Sequence, residues 1–290
     1  MPEISGRAQT GELAPPDPEP LSSPVFDAHT HLDAVAERAG VEPDAAFVEA
    51  VMARARGAGV TSVITVGTSV ESSRWCVQAA RAHPGVFAAV AVHPTEIGGL
   101  GERDYAELEE LAADPRVVAI GETGLDYHWD TTEPADQQHH FRRHIDLAKR
   151  VGKPLMIHDR EAHQDILRLL AEEGAPAKVV FHAFSGDEAF ARRCVSAGYV
   201  LSFPGVVTFT NAPSLRAAAA ITPPDQMLVE TDAPFLTPHP YRGRPNAPYL
   251  LPHTLVRLAH EIGLEPAELS ERIMETGARI FGRAISADQP

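Results

Sequence analysis

From Val25 onward the chain alternates between two textures. Short β-branched apolar runs begin near residues 25, 60, 86, 117, 154, 178, 199 and 227. Each leads into an Ala/Leu/Arg/Glu-rich stretch whose apolar positions recur at helical spacing. The runs predict eight strands. The stretches predict helices at 44–58, 71–83, 103–113, 134–151, 161–173, 187–197 and 211–220, with two more at 252–262 and 266–281 after the last strand. Glycines punctuate the pattern where helices end: Gly57 and Gly59 before Val60-Thr61-Ser62-Val63-Ile64, Gly152 before Pro154-Leu155-Met156-Ile157, and Gly198 before Tyr199-Val200-Leu201. The strands are apolar nearly throughout, as in a parallel sheet covered on both faces. Eight such units match the size of a single-domain α/β fold, the (β/α)8 TIM barrel. A doubly wound open sheet is the alternative, weakened because the first strand runs into His29-Thr30-His31 and not a Gly-rich phosphate turn.

Residues 1–24 break the pattern. Pro15-Pro16-Asp17-Pro18-Glu19-Pro20 can form neither helix nor central strand and offers little to bury. The segment reads as a disordered, Pro-rich acidic tail ahead of a barrel-sized domain at 25–283, with a short C-terminal tail at 284–290.

Composition narrows the function. A hydrophobic content of 44% supports a large core, and a net charge of −15 argues against long unassisted contact with duplex nucleic acid. It leaves a phosphate substrate open, because a bound dication can supply the positive charge. Two cysteines, Cys76 and Cys194, are too few and too far apart for a disulfide scaffold or a thiolate zinc site. No apolar run approaches the ~20 residues of a membrane span, and the first residues lack the basic-then-apolar pattern of a signal peptide. These features point to a soluble, cytoplasmic protein with no membrane association and no implied stable protein partner. The unusual count is 14 His.

Their positions carry the chemistry. Phe26-Asp27-Ala28-His29-Thr30-His31-Leu32-Asp33 sets two His at i and i+2, on one side of a strand. Val117-Val118-Ala119-Ile120 delivers Glu122 between Gly121 and Gly124. Pro154-Leu155-Met156-Ile157 ends in His158-Asp159-Arg160, Lys178-Val179-Val180-Phe181 in His182, and Met227-Leu228-Val229-Glu230-Thr231 in Asp232. For any one of these, a capping or supporting role is the blander reading. Six candidates at the carboxyl ends of five strands, where barrel enzymes keep their active sites, favour a metal centre. Four His and two carboxylates suit Zn, Mn, Fe, Co or Ni and tolerate Mg. Six ligands exceed the three of an open catalytic zinc site, so two divalent metal cations sharing a carboxylate are expected. Paired metals activate water for hydrolysis.

These motifs, with Gly121-Glu122-Thr123-Gly124-Leu125-Asp126, His182-Ala183-Phe184-Ser185-Gly186, Glu230-Thr231-Asp232-Ala233-Pro234 and Tyr241-Arg242-Gly243-Arg244-Pro245-Asn246, resemble those of the TatD family of metal-dependent deoxyribonucleases, within the amidohydrolase-like barrel hydrolases. The resemblance runs from about Val25 to Arg283. It implies that His29, His31, Glu122 and Asp232 hold one metal, and that Glu122, His158 and His182 hold the other. Ala183 stands where the family often has Cys, Thr123 where Ile is common, and Gln164 where an acid is frequent. None of these is a proposed ligand.

The resulting expectation is a metal-dependent hydrolase that cleaves phosphodiester bonds in DNA as an exonuclease. Asp232 serves as ligand and general base, and Arg160 serves as a phosphate fork. His93 and His128 are further substrate-binding candidates, each weighed against an ordinary structural role, and Asp27 is expected to orient a ligand His. His83, His139, His140 and His144 read as solvated or capping. A pocket for a terminal nucleotide suits the acidic charge better than a duplex groove. The alternatives are a carboxyl-ester or amide hydrolase on the same barrel, such as an aminoacyl-tRNA deacylase, and a metal-stabilised binding protein without turnover.

Overall fold

In the computed structural model, which describes residues 14–286, eight parallel strands follow one another around a single sheet in sequence order. They are β1 (Val25–Thr30), β2 (Val60–Val66), β3 (Val86–Val90), β4 (Val117–Asp126), β5 (Leu155–Arg160), β6 (Val179–Phe181), β7 (Val200–Phe203) and β8 (Met227–Val229). Neighbours pair from β1–β2 through β7–β8. The carboxyl ends of β1 and β8 are joined by backbone bonds from Asp232 N–H to the His29 carbonyl (2.9 Å) and from His31 N–H to the Ala233 carbonyl (2.8 Å). The result is a nearly closed TIM barrel, as the strand composition predicts. Every residue of β1, β3 and β4 is buried, which explains why these strands lack alternation.

Helices α2 (Ala45–Gly57), α3 (Val70–Ala82) and α5 (Pro134–Val151) lie within a residue or so of the predicted spans. An additional helix, α1 (Leu32–Ala39), begins directly after His31 with no intervening loop. Its buried Leu32, Val35 and Ala36 follow helical spacing, and Gly40 closes it at φ 69°.

Both predicted tails need correction where they are described. Residues 14–24 pack on the barrel. Pro15 is buried, and its carbonyl accepts from the Tyr249 hydroxyl (2.7 Å) and from Arg54 Nη2 (3.0 Å). The Arg54 guanidinium lies 3.5 Å from the Tyr249 ring centroid and pairs with Asp17. Leu21 N–H donates to the Ala58 carbonyl (3.1 Å). A proline-rich stretch makes few hydrogen bonds of its own, so side chains of the barrel supply them. Residues 1–13 lie outside the described residues. At the other end, Ile285 is buried in the core and its carbonyl accepts from Ser62 Oγ (3.0 Å), so the barrel extends past residue 283. Deleting residues 1–22 is therefore expected to lower Tm by roughly 2 °C or more. An unchanged melting curve would show that the arm adds no net stability.

Two histidines read as solvated or capping are buried. His83 follows α3 and accepts from Gly85 N–H through Nδ1 (3.0 Å). His144, on α5, faces the His140 carbonyl with Nδ1 (2.9 Å) and accepts from Val92 N–H, just beyond β3, through Nε2 (3.3 Å). Burial pushes its pKa down to about 4 from an ordinary 6.5. The folded state therefore keeps this ring neutral while the unfolded chain takes up a proton below 6.5, so stability falls as pH drops from 6.5 toward 4. The expected cost between pH 7 and pH 5 is about 2 kcal/mol. Denaturant titrations at the two pH values should show His144→Gln losing less than wild type; an equal loss would discount the ring.

Candidate metal centre

The sequence brings Glu122 into the barrel mouth by removing side chains on both sides of it. A Cβ on Gly121 would lie 2.5 Å from Met156 Cβ, and one on Gly124, at φ 148°, would lie 2.0 Å from the His158 carbonyl oxygen. Glycine lets β4 approach β5 this closely. The Glu122 side chain is almost wholly buried. Its Oε1 lies 2.8 Å from His158 Nδ1 and 2.9 Å from His182 Nε2. Its Oε2 lies 3.5 Å from Nε2 of both His29 and His31. Asp232 completes the cluster, with Oδ1 3.7 Å from His29 Nε2 and 3.5 Å from His31 Nε2. All six ligand candidates predicted from the sequence thus converge, in two groups: His29, His31 and Asp232, and Glu122, His158 and His182.

The ring tautomers test whether a cation fits. His31 Nδ1 lies 2.8 Å from the Val66 carbonyl, which can only accept, so Nδ1 carries the proton. In the neutral ring the Nε2 lone pair then points at His29 Nε2, 3.1 Å away. His182 Nδ1 faces the buried Glu230 carboxylate at 3.2 Å, and its buried Nε2 lies 2.9 Å from Glu122 Oε1 but out of line for a hydrogen bond. Ring nitrogens and carboxylate oxygens therefore face one another around common points, an arrangement that calls for positive charge at the centre. The ionisation preferences agree. Burial disfavours charge on His31, but the hydrogen bond to Asp232 and the Glu122 and Asp232 charges push its pKa up to about 9. Burial likewise opposes protonation of His182 and His158, yet Glu122 with Glu230 in one case, and Asp126 with Glu122 in the other, raise both. His29 moves down through burial and the charge of His182. Burial would raise the Glu122 and Asp232 carboxyls, but the surrounding imidazoles hold both below their usual range. These donors fit a divalent metal with mixed N/O ligation.

Two supporting acids were not singled out from the sequence. Asp126 Oδ2 lies 3.0 Å from His158 Nε2, fixing which ring nitrogen turns toward Glu122. Glu230 holds the His182 ring and also accepts from Ala183 N–H (2.7 Å). Asp27 differs from expectation. Its carboxylate contacts no imidazole; it accepts from the backbone N–H of Thr231 (2.9 Å) and of His29 (3.3 Å) and from the Thr231 hydroxyl. It therefore ties β1 to the end of β8, positioning the backbone of a candidate ligand rather than its ring. Glu230→Gln is expected to weaken metal affinity by about 10–100-fold, the usual effect of losing an outer partner of a ligand His. Calorimetric titration of the metal-free variant checks this, and wild-type affinity would remove Glu230 from the centre.

The substrate-binding candidates separate. His93 joins the cluster: its Nδ1 accepts from Thr95 N–H (3.2 Å), its Nε2 lies 3.6 Å from Glu122 Oε1, and its ring meets His158 edge-on at 4.4 Å. Burial, followed by the charge of His158, pushes its pKa down to about 3. Arg160 ends β5 at the rim, exposed, with its guanidinium 5.4 Å from the Trp129 ring centroid and no carboxylate partner among the described residues. His128 does not join the cluster; its Nδ1 pairs with Glu161 at 2.9 Å on the exposed rim. Asn246, in the loop after β8, donates to the carbonyls of Thr231 (2.9 Å) and Phe235 (2.5 Å), bracing the turn that presents Asp232.

A TIM barrel with six imidazoles and carboxylates converging at the carboxyl ends of its strands has the form of a metal-dependent barrel hydrolase. The chain belongs to the family described as TatD related DNase, whose model matches residues 26–282. It is 49% identical over 263 residues to the metal-dependent hydrolase TatD of Mycobacterium tuberculosis, covering 89% of this chain and 98% of that protein. It is 38% identical over 238 residues to the 3'-5' ssDNA/RNA exonuclease TatD of Cronobacter turicensis, covering 80% and 90%. The crystal structure of the TatD homologue YjjV from Escherichia coli superposes with a TM-score of 0.82 at 27% identity, covering 89% of this chain and 97% of the other. The protein is thus a TatD-family metal-dependent hydrolase.

Proposed function

We propose that the chain hydrolyses phosphodiester bonds at the ends of single-stranded nucleic acid, DNA foremost, with two divalent cations. The observation that carries this reading is the Glu122 carboxylate, one oxygen of which faces His158 and His182 while the other faces His29 and His31. On this reading His29, His31, Glu122 and Asp232 hold one cation, and Glu122, His158 and His182 hold the other. When bound, such a pair acidifies water and neutralises charge on the reacting phosphoryl group. The residues supply the rest. Asp232 takes the proton of the attacking water on its carboxylate. Arg160 donates its planar fork to phosphate oxygens. His93 offers its Nε2–H, because the Thr95 amide occupies Nδ1. His128 is left out of this set because Glu161 holds it on the rim.

The exonuclease name borne by the Cronobacter relative supports the substrate class. Two free, buried cysteines fit a reducing cytoplasmic setting, and no helix among the described residues is long and apolar enough to cross a membrane. Metal-free protein reconstituted separately with Mg, Mn and Zn should release nucleotides from a linear single strand and spare a circular one. Equal rates on both discard the end preference. Faster turnover of a carboxyl ester or an amide than of any strand would reassign the enzyme.

A further inference from the structure

Four large hydrophobic side chains are exposed among the described residues, and the two aromatic ones both stand at the mouth of the barrel. Trp129, 44% exposed, lies three residues beyond Asp126, and its amide donates to Asp126 Oδ1 (3.3 Å). Phe235, 43% exposed, lies three residues beyond Asp232, and its amide donates to the Asp232 carbonyl (2.8 Å). Each ring is therefore carried by a turn pinned to a carboxylate residue of the centre. β4 and β8 stand four positions apart in a ring of eight strands, so the two aromatics flank the cluster from opposite sides. Phe235 meets the His31 ring edge-on at 6.1 Å. Trp129 is held against His128, with the Arg160 guanidinium near its face. Both rings are half-exposed and sit where the substrate of the proposed reaction must lie.

Resting on the nucleic-acid reading above, we propose that Trp129 and Phe235 are base-stacking platforms, one for each base flanking the scissile phosphate, and that they select strands whose bases can be splayed apart. Every base has a π-face, so stacking tolerates sequence while requiring an unpaired base. Arg160 beside Trp129 places a cation where the backbone phosphate of that stacked nucleotide runs. Charge does not contradict this arrangement: stacking on aromatic rings does not depend on the net charge of the chain, here −15.

The test pairs ring removal with base removal. On an intact single strand, Trp129→Ala and Phe235→Ala should each lower kcat/KM by roughly tenfold, while Trp129→Phe and Phe235→Tyr retain most of the activity. Wild type should lose a similar factor when the matching base is replaced by an abasic tetrahydrofuran, and the Ala variant should lose little more on that strand. Independent, additive losses would overturn the proposal and leave the nuclease reading standing. A second readout needs no turnover. The chain has two Trp, so Trp75→Phe leaves Trp129 as the sole indole emitter. Its fluorescence should be quenched by oligothymidylate and not by an abasic strand of equal length. Equal quenching by both, or none while anisotropy shows binding, overturns stacking at Trp129. A wild type inert on every strand removes the nuclease reading, and the fluorescence result then decides the stacking separately.

Discussion

Glu122→Gln is expected to cost the chain at least one bound metal and nearly all of its hydrolytic activity, a loss beyond roughly 10³-fold, while the barrel stays folded. The side chain keeps its shape, but its charge disappears and one end becomes a donor with no acceptor role. Four ring nitrogens lie between 2.8 and 3.5 Å from the two carboxylate oxygens, so no orientation of the amide avoids pointing N–H₂ at a pair of imidazoles that need to share a cation. Both candidate sites lose their common anion at once, which is why the effect should exceed that of Glu230→Gln, where only an outer partner changes. Elemental analysis after dialysis, with circular dichroism for the fold, measures it. Two metals retained at wild-type affinity would remove the bridging role.

The ligand candidates were legible in the sequence because barrel topology turns a one-dimensional cue into a three-dimensional one. If every strand is parallel, the last residues of every apolar run end on one face, and no pairing register need be known. His29, His31, Glu122, His158, His182 and Asp232 needed only that rule. Their supporting partners needed the register. Asp126 meets His158 because β4 and β5 pair with Gly124 opposite His158, and Glu230 meets His182 across β7, from two strands away. His128 was drawn toward the mouth by sequence proximity to Asp126, but the positive-φ turn at Glu161 presents a carboxylate that keeps it on the rim. The arm before Val25 departs from its compositional expectation for a different reason. Composition shows what a segment lacks, and Pro15 is held by the hydrogen-bonding capacity of Arg54 and Tyr249, far away in sequence.

Asp232→Asn should separate chemistry from coordination. The carboxylate stands at φ 53°, its backbone locked between the His29 carbonyl and the Phe235 amide, so the substitution changes the head group without moving the turn. Its Oδ1 faces His31 and His29, and on the proposed reading the other oxygen addresses the attacking water. The imidazoles hold the carboxyl below its usual range, so it is ionised at neutral pH. An amide can still offer a carbonyl oxygen to a cation, but it cannot take that proton. General-base assistance is worth about 10²–10⁴ in rate, so kcat should fall at least a hundredfold. KM should move far less, because the phosphate contacts assigned to Arg160 and His93 remain. Measuring both constants at saturating metal prevents depletion from mimicking the result. A variant within a few-fold of wild-type kcat under those conditions would leave Asp232 as a ligand alone. The base would then have to be sought outside His93, whose Nδ1 already accepts from Thr95 N–H and whose pKa, pushed down to about 3 by burial, leaves it little basicity.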